Sequence, residues 1–331
     1  MPKPHQPRHG SMQFWPRKRA AKAYARVRSF AKKTDGLLAF AGYKMGMTQI
    51  KAFDSYKNSI TKNESISVPV TILECPAIRI YSVRGHRKDT YGSQVVVEAV
   101  VAGKDKHLAR KVMHKKATDN PNALLDAFPA DLDDVTVLVS TQPSLTGTGA
   151  KKPQIFEVGV GGKTVAEKLE AAKSLVGKDI KASDLFKEGE YVDFHAITTG
   201  RGYQGPVKRF GVNLKPHKTE KGRRRPGNIG AWFGQQHTMY RVAFAGQMGF
   251  HQRVQYNNQI LKITDKPAEV NMEGGFIHYG TGREGNEFLV VRGSIPGPKK
   301  RMITIVKAIR LKQSIPAPSV EEISLASQQG K

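Results

Sequence analysis

The sequence is poor in cysteine and contains no long apolar run. Cys75 is the only cysteine in 331 residues, which excludes intrachain disulfides and cysteine-rich zinc sites. It follows the apolar run 70–73, so we predict a small buried hydrophobe rather than a reactive thiol. The sequence contains no stretch of about 18 apolar residues, so no membrane-spanning helix is predicted. The polar start, residues 1–10, is not typical of a secretory signal, so we expect a cytoplasmic protein.

Acidic residues are scarce relative to basic ones. The chain has 54 Lys and Arg against 28 Asp and Glu, a net charge of +26. Repulsion between like charges opposes the folding of such a chain unless a polyanion is present. Nucleic acid is the usual partner of so basic a protein. An anionic membrane would call for a basic amphipathic helix or a lipidation signal, and neither is recognisable. We therefore expect a nucleic-acid partner and no membrane.

The excess is concentrated in two segments. Residues 1–35 hold ten cations and one acid, and residues 200–262 hold twelve cations and one acid, which leaves about +6 for the rest. Aromatic residues such as Trp15, Trp232 and Phe250 lie among these cations. RNA uses such mixtures, because bases stack on rings while phosphates bind Lys and Arg. A solvated linker would not need the rings, so RNA-binding extensions are favoured.

The remaining sequence predicts short strands around a mixed α/β insertion. Apolar residues at helical spacing predict a helix over residues 163–178 that stops near Gly177. Helical composition also marks residues 104–116 and 122–128. Strands are predicted at residues 68–73, 94–101, 135–140, 191–199, 275–279, 288–292 and 302–309. The fold class is therefore mainly β, with an all-β barrel or sandwich as the body.

Two glycine-rich motifs lack the context of nucleotide-binding loops. Residues 200–205 match the dinucleotide fingerprint, and Glu220 lies where its acid would be. Pro206 and a strand-like run at residues 207–211 follow, where the fingerprint needs a helix. Residues 159–164 end in Gly-Lys-Thr, but Glu157 replaces a required glycine. We predict a glycine loop facing RNA for the first motif, and a turn before a helix for the second.

Catalytic and metal-binding constellations are not recognisable. His217, His237 and His251 share the basic internal segment but lack the spacing of metal ligands. We expect these histidines to stack on RNA or to hydrogen-bond to it. The acidic residues at positions 131, 133 and 134 predict a solvated turn. No catalytic residue, metal or cofactor is predicted.

Seven blocks of the sequence stand out, at residues 7–11, 16–20, 40–48, 200–211, 227–232, 246–253 and 293–301. These blocks resemble archaeal and eukaryotic members of the ribosomal protein L3 family. They occur in family order along nearly the whole chain, whose length and opening look archaeal.

The resemblance implies a structural constituent of the large ribosomal subunit. Its body would be a translation-protein type of β-barrel with an α/β insertion and long basic extensions. It would bind large-subunit rRNA, support early subunit assembly and reach towards the peptidyl transferase centre through the internal loop. Trp232 matches the family's tryptophan finger, implied to stack on or wedge rRNA near the accommodation corridor. Eukaryotic relatives have His-Pro after this tryptophan, whereas Phe233 and Gly234 follow here, so no role of that histidine is carried over.

The implied partners are large-subunit rRNA and neighbouring ribosomal proteins, with no small-molecule substrate, and structural magnesium would be bound mainly by rRNA. The predicted organisation is a basic extension (1–35), a barrel body (36–84 and 185–315) containing the basic internal loop (200–262), an α/β insertion (85–184) and a tail (316–331). The candidate RNA-binding residues are Arg8, His9, Trp15, Arg17, Lys18, Arg19, Arg201, Lys208, Arg209, Lys215, Lys218, Lys221, Arg223, Arg224, Arg225, Trp232, Arg241, Gln247, His251 and Arg253.

Two other functions remain open. An RNA-modifying enzyme would need an acid, base or cofactor site in the body. A dissociable assembly factor would also bind RNA but would not remain in the mature subunit.

Overall fold

The computed structural model describes residues 7–31, 36–101, 106–113, 121–129, 131–227 and 242–327. The chain divides into two compact units. The basic unit comprises Met1–Ala23 and Ile197–Gln252, and the large unit comprises Tyr24–Ala196 and Arg253–Lys331. Residues 24–31, predicted as part of the basic extension, group with the large unit, where Val27 lies in the hydrophobic core and Tyr24 and Phe30 pack against it. The predicted domain limits stay predictions.

The chain is built mainly from strands, which confirms the predicted mainly-β class. The strands are β1 (Ala39–Phe53), β2 (Ser65–Cys75), β3 (Arg79–Asp89), β4 (Gly92–Val100), β5 (Asp134–Ser140), β6 (Ile155–Gly159), β7 (Tyr191–Ile197), β8 (Tyr203–Gln204), β9 (Gly246–Gln247), β10 (Gln252–Thr264), β11 (Glu287–Arg292), β12 (Met302–Lys307) and β13 (Ser319–Ile323). The helices are α1 (Pro121–Asp126), α2 (Val165–Leu175) and α3 (Pro206–Phe210).

A seven-stranded sheet forms the larger part of the large unit. Its order is β12-β7-β10-β11-β2-β1-β13, and β12 also pairs with β1, so six strands form a closed cycle of pairings. Phe40, Phe194 and Phe288 are fully buried in its core. Burying each such side chain contributes about 1.5–3 kcal/mol. The translation-protein type of barrel stays a prediction.

A second sheet carries the predicted α/β insertion. Its four strands run in the order β4-β3-β5-β6, and α2 packs against its core through Ala172 and Leu169. Thr164 caps α2 in a capping box with Glu167, and Gly177 follows the helix at φ 77°. The predicted helix is confirmed, as is the turn before it. The carboxylate of Glu167 accepts the backbone N–H of Lys163 at 2.7 Å, where a phosphate-binding loop would hold phosphate.

Three predicted elements need correction. Residues 275–279 form no strand, because Gly275 and His278 take positive φ values and Phe276 bridges back to Gly280 in a tight turn. Residues 207–211 are not strand-like, since α3 occupies residues 206–210. Pro206 provides a favourable first helical residue, and Gly211 ends the helix at φ 70°. The predicted helix at 104–116 lies partly outside the described residues, and its described part contains only the 3-10 turn Leu108–Arg110.

Strand β2 ends in two consecutive buried residues, the acid Glu74 and the thiol Cys75. Cys75 is 1% exposed, as predicted for a small buried hydrophobe, and burial raises the pKa of its thiol. Glu74 is fully buried and accepts hydrogen bonds from the Tyr279 hydroxyl, the Asn286 amide and backbone N–H groups. The burial and the neighbouring charge of Glu74 raise the pKa of Tyr279, so this hydroxyl remains a donor.

The insertion sheet should show a pH-dependent contribution from Glu157. His86 Nε2 lies 3.2 Å from its carboxylate and Thr136 donates to it at 2.9 Å, which lowers its pKa from 4.5 to about 2. A depressed pKa stabilises the fold above pH 4.5, and this contribution disappears as pH falls towards 2. Because the Glu157 side chain is 30% exposed and partly screened by solvent, we expect Glu157→Gln to cost about 1 kcal/mol at pH 7.

Urea denaturation between pH 7 and pH 2.5 measures this contribution. The stability gap between wild type and Glu157→Gln should shrink below pH 4.5. Glu170→Gln, which alters an exposed carboxylate on α2, is the control and should give a small, constant gap. A gap for Glu157→Gln that does not change with pH would contradict the assignment.

Candidate nucleic-acid interface

The basic unit combines the two predicted basic segments. It holds sixteen of the 54 Lys and Arg residues and only one acid, Glu220, in the residues assigned to it. The sequence predicted two separate extensions, but their described residues pack against each other. The local concentration of positive charge is therefore higher than either segment provides alone.

Two arginines join the segments by reciprocal hydrogen bonds. Arg17 Nη1 donates to the carbonyl of Arg209 at 2.9 Å, and Arg209 Nη2 donates to the carbonyl of Arg17 at 3.4 Å. Arg209 also donates to the carbonyls of Gln247 and Phe244, which ties α3 to the residues around β9. These guanidinium groups, predicted as RNA contacts, thus have structural partners inside the unit.

Phe210 lies at the centre of this junction. Helix α3 places its ring against Trp15, with ring centroids 5.6 Å apart. The Arg17 guanidinium lies 4.2 Å from the ring centroid and that of Arg209 lies 5.0 Å from it. A Cβ at Gly10 would overlap the same ring, so glycine is required for this approach.

The two guanidinium groups repel each other. Burial lowers the pKa of Arg17, while burial and then the charge of Arg17 lower that of Arg209. Arginine nevertheless stays protonated in proteins. The junction therefore holds two like charges in a partly buried place, and a bound polyanion would relieve the repulsion.

A second junction involves His251 and its neighbours. His251 is 8% exposed, and its Nδ1–H donates to the Lys18 carbonyl at 2.8 Å. The backbone N–H of Ala20 donates to the carbonyl of Phe250, and Arg19 lies over the ring of Phe250 at 5.2 Å. Residues 18–20 are thereby held along the internal segment, with Lys18 and Arg19 exposed.

A loop within the internal segment presents a cluster of cations. Arg223 Nε donates to the Lys215 carbonyl at 3.1 Å, and the N–H of Lys215 donates to the carbonyl of Arg223 at 3.1 Å. These two bonds close the loop at its base. Lys218 and Lys221 on the loop are exposed, as is Arg224 just beyond it.

The structure sorts the predicted RNA-binding residues by exposure, and their contacts with RNA stay predictions. Trp232 and Arg241 lie outside the described residues. His251 is buried. The half-buried ones are His9, Trp15, Arg17, Arg209, Lys215, Arg223, Gln247 and Arg253. The exposed ones are Arg8, Lys18, Arg19, Arg201, Lys208, Lys218, Lys221, Arg224 and Arg225.

One exposed aromatic residue of this unit was not singled out from the sequence. Tyr203, on β8, is 77% exposed and lies two residues after Arg201. Phe244, which the sequence places among the aromatic residues interleaved with the cations, is 45% exposed, and its carbonyl accepts a hydrogen bond from Arg209. The same mixture of rings and cations that marked Trp15 could have identified Tyr203.

Other kinds of site have little support in the described part of the chain. Over those residues, no three His, Cys, Asp or Glu side chains come together in a way that could hold a metal ion. None of the helices formed by them has the length and apolar character needed to cross a membrane. The expectations of no cofactor and no metal stay expectations.

Comparison with known proteins agrees with the sequence blocks. A family model described as "Ribosomal protein L3" matches residues 1–329. The chain belongs to the ribosomal protein L3 family. The archaeal resemblance is also confirmed: the protein named "Large ribosomal subunit protein uL3" in Methanosphaera stadtmanae is 43% identical, with all of both chains covered. Proteins of the same name from Methanothermobacter thermautotrophicus and Methanococcoides burtonii are 43% and 42% identical, again over the full length of both chains.

Membership of the ribosomal protein L3 family settles the broad class. A member of this family is a structural ribosomal component and not an enzyme, so this prediction is confirmed by the match rather than by any lack of a visible catalytic site. The alternative of an RNA-modifying enzyme is therefore excluded. The predicted location, in the cytoplasmic ribosome, is confirmed by the same match.

Proposed function

We propose that the chain is an integral protein of the large ribosomal subunit that binds large-subunit rRNA mainly through the basic unit. The observation that most supports this proposal is that both basic segments pack into one unit with sixteen cations and one acid. Family membership and the name of the archaeal relatives, large ribosomal subunit protein uL3, support the assignment to the large subunit.

The mode of binding follows from the two sets of side chains. Cations used inside the unit, such as Arg17 and Arg209, fix the shape of the surface. Exposed cations such as Lys218 and Lys221 would neutralise phosphates where rRNA helices converge. We expect recognition to rest on RNA shape and unpaired bases rather than on base edges inside duplexes.

Three finer roles belong to the same proposal. A unit of this charge would bind rRNA early and so support subunit assembly. The internal segment would extend towards the peptidyl transferase centre, with Trp232, which lies outside the described residues, stacking on or wedging rRNA. Neighbouring ribosomal proteins would be further partners, and structural magnesium would be held mainly by rRNA.

Removing two exposed cations of the basic unit should weaken rRNA binding in a salt-dependent way. The probe is a transcript of the large-subunit rRNA of Methanothermobacter thermautotrophicus, titrated with the full chain between 50 and 200 mM KCl. Each lost phosphate contact reduces the log–log salt slope by about 0.7–0.9. Lys218→Gln/Lys221→Gln should therefore reduce the slope by about 1–2 and weaken binding at 50 mM KCl.

A matched control removes the same charge elsewhere. Lys151 and Lys152 are adjacent, exposed lysines of the large unit, and Lys151→Gln/Lys152→Gln should leave the slope unchanged. Equal slopes for the two double variants would contradict a role of the basic-unit loop. An rRNA affinity of the wild type that does not depend on salt would contradict the proposal as a whole.

A further inference from the structure

The four-stranded sheet has one covered edge and one open edge. On the β6 side, the N–H of Leu38 donates to the carbonyl of Gly159 at 3.1 Å, and the N–H of Gly161 donates to the carbonyl of Gly36 at 2.7 Å. On the other side, β4 pairs with β3 alone among the residues that the structure describes. Every second residue of β4 therefore directs its backbone N–H and C=O groups away from the sheet.

The open side of the sheet is apolar and exposed. Residues 92–97 of β4, here called the β4 edge, have the sequence Gly-Ser-Gln-Val-Val-Val and carry no charge. Val95 is 46% exposed and Val96 is 52% exposed. Tyr91, in the hairpin turn before the edge, is 94% exposed. Valine and tyrosine are typical of strands that pair with a neighbour, because such side chains pack against those of the adjacent strand.

A β-bulge makes Val96 an additional residue of the edge. The neighbours of Val96 on both sides pair with consecutive residues of β3, Gly85 and His86. Natural proteins keep exposed edge strands from pairing by bulges together with lysine, proline or inward charges. The edge strand of the seven-stranded sheet, β13, exposes Glu321 and Glu322. The β4 edge has neither a charge nor a proline, so its bulge is its single safeguard.

The charges around the β4 edge are already neutralised. Arg84 forms an ion pair with Glu98 at 3.0 Å, and Arg87 forms one with Asp131. Lys88 is exposed and is followed directly by an acid. Affinity for RNA depends mainly on phosphate contacts, which need free cations. An uncharged surface of this kind, in a chain of net charge +26, is therefore unsuited to rRNA.

The backbone of the β4 edge determines what can cover it. Its outward N–H and C=O groups recur at the spacing of a strand, about 3.3 Å per residue. Another extended backbone offers donors and acceptors at the same spacing, whereas a helix has used its backbone groups internally. The exposed valines would pack against the side chains of the added strand. The geometry and the lack of charge thus both favour an extended protein segment.

We propose that the β4 edge is a docking surface for an extended segment of a neighbouring protein of the large subunit, which adds one strand to the four-stranded sheet. The added strand would exchange backbone hydrogen bonds with β4 and pack apolar side chains against Val95 and Val96. A segment of about five residues would cover the edge. This inference rests on the proposed function, because the large subunit supplies the partner.

Hydrogen exchange at short labelling times detects the added strand. The full chain in solution is compared with purified large subunits by mass spectrometry. The outward N–H groups of residues 93–97 should exchange at least about tenfold more slowly in the subunit, because the added strand bonds them. Residues 155–159 of β6 are the control, since residues 36–38 already cover that side, and should be protected in both samples. Equal exchange of residues 93–97 in both samples would overturn the proposal.

Photo-crosslinking identifies the occupant. Val96 is replaced by a photoreactive benzophenone amino acid in the full chain, and large subunits that contain it are irradiated and digested. We expect a cross-link to one peptide of another large-subunit protein. The same amino acid in place of Glu170, exposed on α2, is the control and should not cross-link to that peptide. A cross-link to rRNA alone, to a second copy of this chain alone, or to nothing would overturn the proposal.

Val96→Lys adds a charge to the edge without altering the core. Because Val96 is exposed, the full-length variant should keep the wild-type circular dichroism spectrum and the wild-type affinity for the rRNA transcript. The slow exchange of residues 93–97 in the large subunit should be lost, since a charged edge strand pairs poorly. Ala166→Lys adds the same charge at an exposed position on α2 and should keep the slow exchange. Slow exchange that survives Val96→Lys would contradict strand addition.

The outcomes separate this inference from the proposed function. If the chain is present in large subunits but residues 93–97 are not protected there, the docking surface is wrong and the proposed function stands. If these residues are protected and position 96 cross-links to a protein, both stand. If the chain is absent from large subunits, the proposed function fails and this inference fails with it.

Discussion

Gly249→Ala is expected to open the basic unit, at a cost of about 3 kcal/mol or more. Gly249 has φ 70°, and a Cβ there would overlap the carbonyl oxygen of Thr199 and lie 3.1 Å from Gly200 Cα. Both obstacles are backbone, so no side chain can move aside. The change would force apart residues 198–202 and 248–251, which four backbone hydrogen bonds join.

Hydrogen exchange measures this effect locally. The N–H of Arg201 donates to the Met248 carbonyl at 2.9 Å, and that of Met248 donates to the Gly202 carbonyl at 2.9 Å. Faster exchange at these two amides reports a smaller free energy of local opening. Binding to the rRNA transcript should weaken in parallel.

Gly202→Ala is the matched control. Gly202 has φ 68°, but nothing lies within 4 Å of the position of a Cβ there. Its replacement should cost only the left-handed strain, about 1–2 kcal/mol. Equal exchange rates in the two variants would show that the contact between residues 199–200 and 249 does not hold the unit together.

Glu74→Ala should be the most destabilising substitution in the large unit. Removing this buried carboxylate would leave four donors without an acceptor: the hydroxyl of Tyr279, the N–H groups of Gly147 and Arg283, and an Asn286 N–H. Each unsatisfied buried donor costs about 1–3 kcal/mol, partly recovered by relaxation. We expect the free energy of unfolding to fall by about 3–5 kcal/mol.

Urea denaturation of the full chain measures this loss, with Glu322→Ala as the control. Glu322 pairs with Lys51 at 3.1 Å, but its side chain is 65% exposed. Such surface pairs contribute about 0–1 kcal/mol. If Glu74→Ala costs no more than the control, the donors around Glu74 find other partners and its network is not central to the fold.

Elements with a strong local pattern could be predicted from the sequence. Helix α2 has apolar residues at helical spacing, a capping box and Gly177 beyond its end, and each signal lies within about fifteen residues. Strands β2, β5 and β12 could be predicted equally well from their runs of β-branched residues. Helix α3 also had a readable signal, Pro206 at its start and Gly211 at its end, which the strand-like composition between them obscured.

The architecture of the basic unit could not be read in this way. Arg17 and Arg209 are 192 residues apart, and their reciprocal bonds leave no local pattern in the sequence. Composition identified the cations but could not separate those that fix the unit, such as Arg17, from those that face outward, such as Lys218.

Sedimentation of a cell lysate tests the central claim most directly. Ribosomal particles would be separated on a sucrose gradient at high magnesium, and the large-subunit fraction washed with high salt before the chain is quantified per particle. The proposed function predicts one copy per mature large subunit that survives the wash. Recovery only in light or precursor fractions would contradict it and indicate a dissociable assembly factor.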